Sequence, residues 1–253
     1  MQPIFDPELV QKHYARAAGT FKQHDVLWKL MCERINERLA EITRTFPNTL
    51  LLAPIPADVP HNFFYNNAEV INAAEQSLDA ILSINALHTV NDVVGSLIQM
   101  RNALKQDGLL LAIFPGGETL HELRAALAHA ETTISGGISP RIAPLIDVRD
   151  AGNLLQRAGF VLPVADSETI TLTYANIFEL MHDLRGMGQT NALKERRNSF
   201  TGMELFIVAE EYYREKFADE EGRLKMTVEL ITLTAWTPNS PQEPTRWERL
   251  QGA

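Results

Sequence analysis

The chain has a single cysteine, Cys32, among its 253 residues, so no disulfide can form within it. Cys32 falls at helical spacing between Leu30 and Ile35, which reads as a core thiol rather than a nucleophile. Basic charge is also short: 23 Lys and Arg face 32 Asp and Glu, for a formal net charge of −9. That balance argues against sequence-independent binding to nucleic acid, which needs a basic face. The one compact basic run, Lys194-Glu195-Arg196-Arg197, is broken by a carboxylate and reads as a solvated helix face. No apolar run approaches the roughly 20 residues that span a bilayer, and no basic-then-apolar leader opens the chain. The expectation is a soluble, cytoplasmic protein with no membrane span. The histidines follow no ligand spacing, so no metal is expected, and Ser83 and Ser139 lack a nucleophile-elbow pattern.

What is present is dominated by Asp79–Arg124. A short apolar strand (80–84), a polar elbow (85–92), a helix (93–104) and a second apolar strand (109–114) make a βαβ unit with doubly buried strands. This predicts an open, mostly parallel α/β sheet, whose ligands bind beyond the strands' carboxyl ends. Upstream, Asp6 as N-cap and Pro7 at the first helical position open one helix, and a longer one covers 26–43. TLLLA (49–53) is a first central strand. Downstream come helices at 117–133 and 148–159, a strand at 168–174, helices at 176–187 and 202–217, and a long β-branched strand at 225–236. The spacing divides the chain into N-terminal helices (1–48), a core (49–175 and 219–237), a helical cap (176–218) and a flexible tail (238–253).

One more thing is lacking. A nucleotide-type sheet places a Gly-rich turn after its first strand, then two further βα units. Here Pro54, Pro56 and Pro60 follow Ala53, and only 26 positions separate Ala53 from Asp79. Each crossover takes about a dozen residues or more, so two units do not fit. One strand remains possible, at 62–65, reached by the Pro-rich 54–60 connection. Prolines also remove the N–H groups that an anion-cradling turn uses.

Several segments resemble one group of class I S-adenosylmethionine (SAM)-dependent methyltransferase-like proteins. They are FDPELVQKHYARAAGTF (5–21), LDAILSINALHTVND (78–92), LKQDGLLLAIFPGGETLHELR (104–124), GGISPRIAPLIDVRDAGNLLQRAGF (136–160) and LMHDLRGMGQTNAL (180–193). The group contains the complex I assembly factor that acts as an arginine hydroxylase. The biotin-synthesis methyltransferase acting on malonyl-carrier protein is a looser relative. The resemblance implies a Rossmann-like class I methyltransferase fold with an antiparallel last strand and a helical cap, here truncated in its N-terminal half. It also implies SAM as cofactor, yet the family's Asp-x-Gly-x-Gly turn is replaced by Ala53-Pro54-Ile55-Pro56 and its second, acid-ending strand is missing. The adenine-contacting Asp is replaced by Asn67.

The expectation is therefore a degenerate family member that has lost SAM. It would act as a non-methylating assembly factor on a protein partner, a paralogue or a respiratory-complex subunit. The alternative is an active methyltransferase or arginine hydroxylase with a rebuilt cofactor loop. That alternative would use Ala53, Asn67 and Asn85 for the cofactor and His88 and Glu118 for chemistry. A substrate or partner pocket is expected from Gly116, Gly117, Glu118, Thr119, Arg141 and Met187, while Glu122 reads as solvated.

Overall fold

The computed structural model describes residues 2–65 and 68–239. Helix α1 (Pro7–Ala17) is capped as expected, the Asp6 carboxylate accepting from the Leu9 N–H at 3.1 Å. Then follow α2 (Val26–Glu41), β1 (Thr49–Leu52), β2 (Phe63–Tyr65), β3 (Leu78–Ile84), α3 (Val93–Ala103) and β4 (Leu104–Pro115). The second half holds α4 (His121–Ser135), α5 (Val148–Arg157), β5 (Val161–Tyr174), α6 (Ile177–Gly186), α7 (Met203–Phe217) and β6 (Leu224–Trp236).

The six strands form one sheet in the order β2-β1-β3-β4-β6-β5. Strands β2, β1, β3 and β4 are parallel, and β6 runs antiparallel to β4, from Leu109 opposite Trp236 to Pro115 opposite Leu230. This is the α/β class expected. The doubly wound order 3-2-1-4-5-6 sets two strands outside its first, and here β2 alone lies outside β1. In sequence the second strand is the missing one. In the sheet, however, Phe63–Tyr65 lies directly beside β1, so the gap is displaced to the outer edge. A strand left in the middle of a sheet without a neighbour would bury unpaired peptide groups, so the survivor closes onto β1.

Contacts divide the chain into two units. One comprises Val26–Gly116, Ile146–Glu168 and the chain from Leu230 onward; the other comprises Met1–Asp25, Gly117–Leu145 and Thr169–Glu229. Strands β5 and β6 pass from one unit into the other. In the strand-rich unit, Leu50, Leu52, Ile81, Leu110 and Ala112 on one sheet face pack with Leu97 and Met100 of α3 and Leu155 of α5. The alternate positions Leu51, Leu82, Leu111 and Ile113 are equally buried, and α2 packs on β3 and β4. Cys32 lies in this core, where burial pushes its thiol up to about 11. In the helical unit α4 packs along α7, with His129 stacked on Tyr212 at 4.3 Å.

Three local readings are corrected. The helix expected from Gly117 starts at His121, because the Glu118 and Leu120 N–H groups are taken up by the Glu229 carboxylate and the Thr227 carbonyl. The strand expected at 168–174 begins at Val161. The basic run 194–197 is a turn and loop, not a helix face.

Candidate functional site

In the strand-rich unit, the expected cofactor edge begins where β1 ends. The crossover from Leu52 to Phe63 contains ten residues, three of them proline and none glycine, and forms no helix. It closes on itself and on its neighbours. The buried Ala53 donates its N–H to the Tyr65 carbonyl at 3.1 Å, and Asn62 exchanges hydrogen bonds with Thr49 through its N–H and its side chain. Asn36 donates from its side chain to the Asp58 carbonyl at 3.0 Å. Asn67 lies outside the described residues. Beyond it, the 68–71 segment is tied to α3 and its entry: Gln99 receives the Ile71 N–H and donates to the Glu69 carbonyl, while the Glu69 carboxylate accepts from Asn91. A cavity of about 200 Å³ lies among Leu50, Phe63, Tyr65, Ala73, Ser77 and Leu78, and none of the expected site residues lines it.

Asn85 and His88 are brought together at the carboxyl end of β3, both buried. Asn85 turns the chain with φ 52° and anchors the bend by donating its N–H to the Ile113 carbonyl at 2.8 Å. Asparagine tolerates this left-handed conformation because its short amide bonds locally, whereas a branched Cβ collides with the backbone. Asn85→Val is therefore expected to lose about 1–2 kcal/mol or more, and Asn85→Gly to lose less, as read from urea midpoints. Equal losses for the two would remove the conformational explanation. His88 lies in the 3₁₀ turn Leu87–Thr89 that follows, and Asp92 caps α3 by accepting from the Gly95 N–H. Gly116 is buried just past the end of β4.

In the helical unit, residues 117–120 form a tight turn. Thr119 is buried and its hydroxyl both donates to the Glu229 carbonyl and accepts the Glu229 N–H. The Glu118 side chain is exposed, and the turn ends at Leu120 with φ 59°. Met187 is buried at the end of α6. Arg141, expected as a cation for a partner, is engaged inside the unit. Its Nε and Nη2 lie 2.8 and 2.7 Å from Oε1 of Glu131, a carboxylate only 2 % exposed. Ser139 adds its N–H and hydroxyl to the same carboxylate.

Other polar sites had no signal in the sequence. Glu122, read as solvated, is 3 % exposed and accepts from both the N–H and the hydroxyl of Thr227, a residue 105 positions away. Asp183 of α6 gathers two partners, His24 Nδ1 from the segment after α1 and the Tyr174 hydroxyl from the end of β5, each at 2.5 Å. The motif LMHDLRGMG marked Asp183 as part of a distinctive segment but gave no partner for it.

Chemically, the strand edge offers a buried polar pair, Asn85 and His88, and the turn at 117–120 offers one exposed carboxylate. No group of three or more His, Cys, Asp or Glu among the described residues is arranged to hold a metal ion. No described helix is long and apolar enough to cross a membrane.

Residues 31–112 match the family model described as a methyltransferase domain. The chain is 32 % identical to the arginine hydroxylase NDUFAF5, mitochondrial, of Homo sapiens, over 94 % of this chain and 78 % of that one. Its likeness to the Rattus norvegicus protein of the same name is also 32 %, over 94 % and 79 % of the two chains. A malonyl-[acyl-carrier protein] O-methyltransferase from Xylella fastidiosa is 35 % identical over 72 % of this chain and 59 % of its own. Among solved structures, a methyltransferase-type protein from Bacillus halodurans superposes with a TM-score of 0.52 at 15 % identity, covering 81 % of this chain and 98 % of that one, which establishes the fold alone. With the motifs, the six-strand order and these identities in agreement, the chain belongs to the family of the arginine hydroxylase NDUFAF5, built on the class I methyltransferase fold.

Proposed function

We propose that this chain is a family member whose SAM half-site has been lost, and that it works as a non-methylating assembly factor. Its partner would be a paralogue or a subunit of respiratory complex I. The observation that carries the reading is the helix-free, proline-rich crossover after β1. A cofactor of this kind is held in such folds by a Gly-rich turn and the N–H groups opening the next helix. Here there is no such helix, and the Ala53 N–H already pairs with Tyr65. The residues present do not fit the methionine end of SAM. The alignment with the human relative supports a deletion: its 271 positions exceed the roughly 238 residues that 94 % of this chain supplies, leaving room for about one βα unit.

Partner binding draws support from the apolar side chains exposed in 176–218, where Phe178, Phe200, Met203 and Ile207 face water. Glu118 is the exposed member of the expected pocket set, and it would meet a cationic group of the partner. The buried pair Asn85 and His88 favours the second reading, a methyltransferase or arginine hydroxylase with a rebuilt loop.

Isothermal titration with SAM and with S-adenosylhomocysteine separates the two. The expected result is no heat up to millimolar ligand, in protein whose fold is verified by circular dichroism. Micromolar binding abolished by Asn85→Ala would sink the proposal and make this an enzyme.

A further inference from the structure

We propose that the cavity beside β2 is a binding site for a small, neutral aromatic molecule of one ring or two fused rings. The cavity lies wholly within the strand-rich unit and has a physical origin. A parallel crossover ordinarily lays a helix over the sheet face it crosses. Residues 68–77, which lead from β2 to β3, contain no helix. The face at Leu50, Phe63 and Leu78 is therefore roofed by irregular chain, and a space of about 200 Å³ remains beneath it.

The walls of this space are held in place. The Tyr65 hydroxyl donates to the Asn72 carbonyl at 2.6 Å, and the Ser77 hydroxyl donates to the Ala74 carbonyl at 2.7 Å. The Gln76 and Ser77 N–H groups donate to the Asn102 and Ala103 carbonyls at the end of α3, at 2.9 and 3.0 Å. Leu50 and Leu78 are 0 and 3 % exposed, whereas Phe63, paired with Leu50 across β1 and β2, is 47 % exposed. Phe63 and Tyr65 lie two residues apart on one strand, so their rings share a sheet face. Phe63 thus leaves apolar surface in water that a ligand would cover, and that burial drives binding.

The lining sets the class of ligand. The space exceeds the roughly 150 Å³ of an apolar cavity that takes up benzene, and so admits one ring or an indole-sized pair. The ring faces of Phe63 and Tyr65 favour an aromatic guest over an aliphatic one, through offset or edge-to-face contact. None of the described residues lining the space is charged, so an ionic guest would lose its hydration without gaining a counter-charge. One polar group is available at the exposed mouth. The Asn72 side-chain carboxamide makes no hydrogen bond among the described residues, and it would pair with a ring N–H or hydroxyl.

The experiment titrates the full chain with indole, followed by saturation-transfer NMR of the ligand, with indole-3-acetate and 1-hexanol as comparators. Saturable indole binding is expected, with both comparators weaker. Ala74→Leu, at an exposed lining position, fills the space and should weaken indole about tenfold or more, as overpacking does. Asn72→Ala should cost about two- to tenfold, the worth of one neutral hydrogen bond. Phe63→Leu keeps the apolar bulk but removes the ring contact, and should cost about as much. Circular dichroism verifies the fold of each variant. No saturation, or undiminished binding in Ala74→Leu, would overturn the site. Hexanol binding tighter than indole, or unchanged affinity in Phe63→Leu, would overturn the aromatic assignment. N-acetyltryptophanamide binding tighter than indole would overturn the free molecule in favour of a ring carried on a polypeptide.

Discussion

Replacing Glu131 by alanine is expected to cost about 3 kcal/mol of folding stability, the lower end of what breaking a buried ion pair costs. The carboxylate is 2 % exposed and holds the Ser139 N–H at 2.6 Å, the Ser139 hydroxyl at 2.5 Å and the Arg141 guanidinium at 2.7 Å. Deleting it leaves a guanidinium whose side chain is only 18 % exposed facing a void, with Thr201 as its remaining side-chain partner. Urea midpoints should fall with the m-value unchanged. The pH dependence has a definite sign. Burial alone raises the Glu131 pKa, but the Ser139 donors and Arg141 together bring it below the ordinary glutamate value. A depressed folded-state pKa contributes stability that is complete above the unfolded value of about 4.3 and lost as pH falls through the folded one. Asp79, held low by Lys105 and Asn48 against its own burial, follows the same course in every variant. The gap between wild type and Glu131→Gln should therefore be widest near neutrality and narrow below about pH 4. A gap independent of pH would mean that the charge of Glu131 contributes nothing.

The contrast between Glu131 and Asp6 shows what could be read in advance. The Asp6 cap was legible because its partner, the Leu9 N–H, lies three residues away and Pro7 opens the helix beside it. The same local logic gave most of the helices and strands. The shortened connection was legible too, since counting from Ala53 to Asp79 leaves too few residues for two crossovers. What the count does not give is where the remaining strand pairs, because β2 against β1 is a non-local choice made by the sheet. Glu122, Glu131 and Asp183 were illegible for a different reason. A glutamate on a helix looks solvated until Thr227 or Arg141 arrives from elsewhere, and no periodicity encodes that arrival. Leu120 at φ 59° is the extreme case, a residue type with no preference for the conformation the turn imposes.

Gly186→Ala is expected to destabilise the chain even though helix propensity favours the change. Gly186 closes α6, where alanine gains at most about 1 kcal/mol over glycine. Against that stands the His24 ring: an added Cβ would meet its Cδ2 at 2.1 Å, Cγ at 2.3 Å and Nε2 at 2.5 Å. A flexible side chain would swing away, but this ring is pinned, with Nδ1 2.5 Å from the Asp183 carboxylate. Moving it breaks that contact and leaves Asp183 with the Tyr174 hydroxyl, 2.5 Å away. Overpacking of this kind costs about 1–3 kcal/mol, so the net loss should exceed 1 kcal/mol after the propensity gain is subtracted. A double-mutant cycle isolates the cause. His24→Ala alone loses the Asp183 contact, but in combination with Gly186→Ala it makes the room the methyl needs. The pair should then be less destabilised than the sum of the singles by about 1 kcal/mol or more. Strict additivity would place the cost of the methyl elsewhere than at His24.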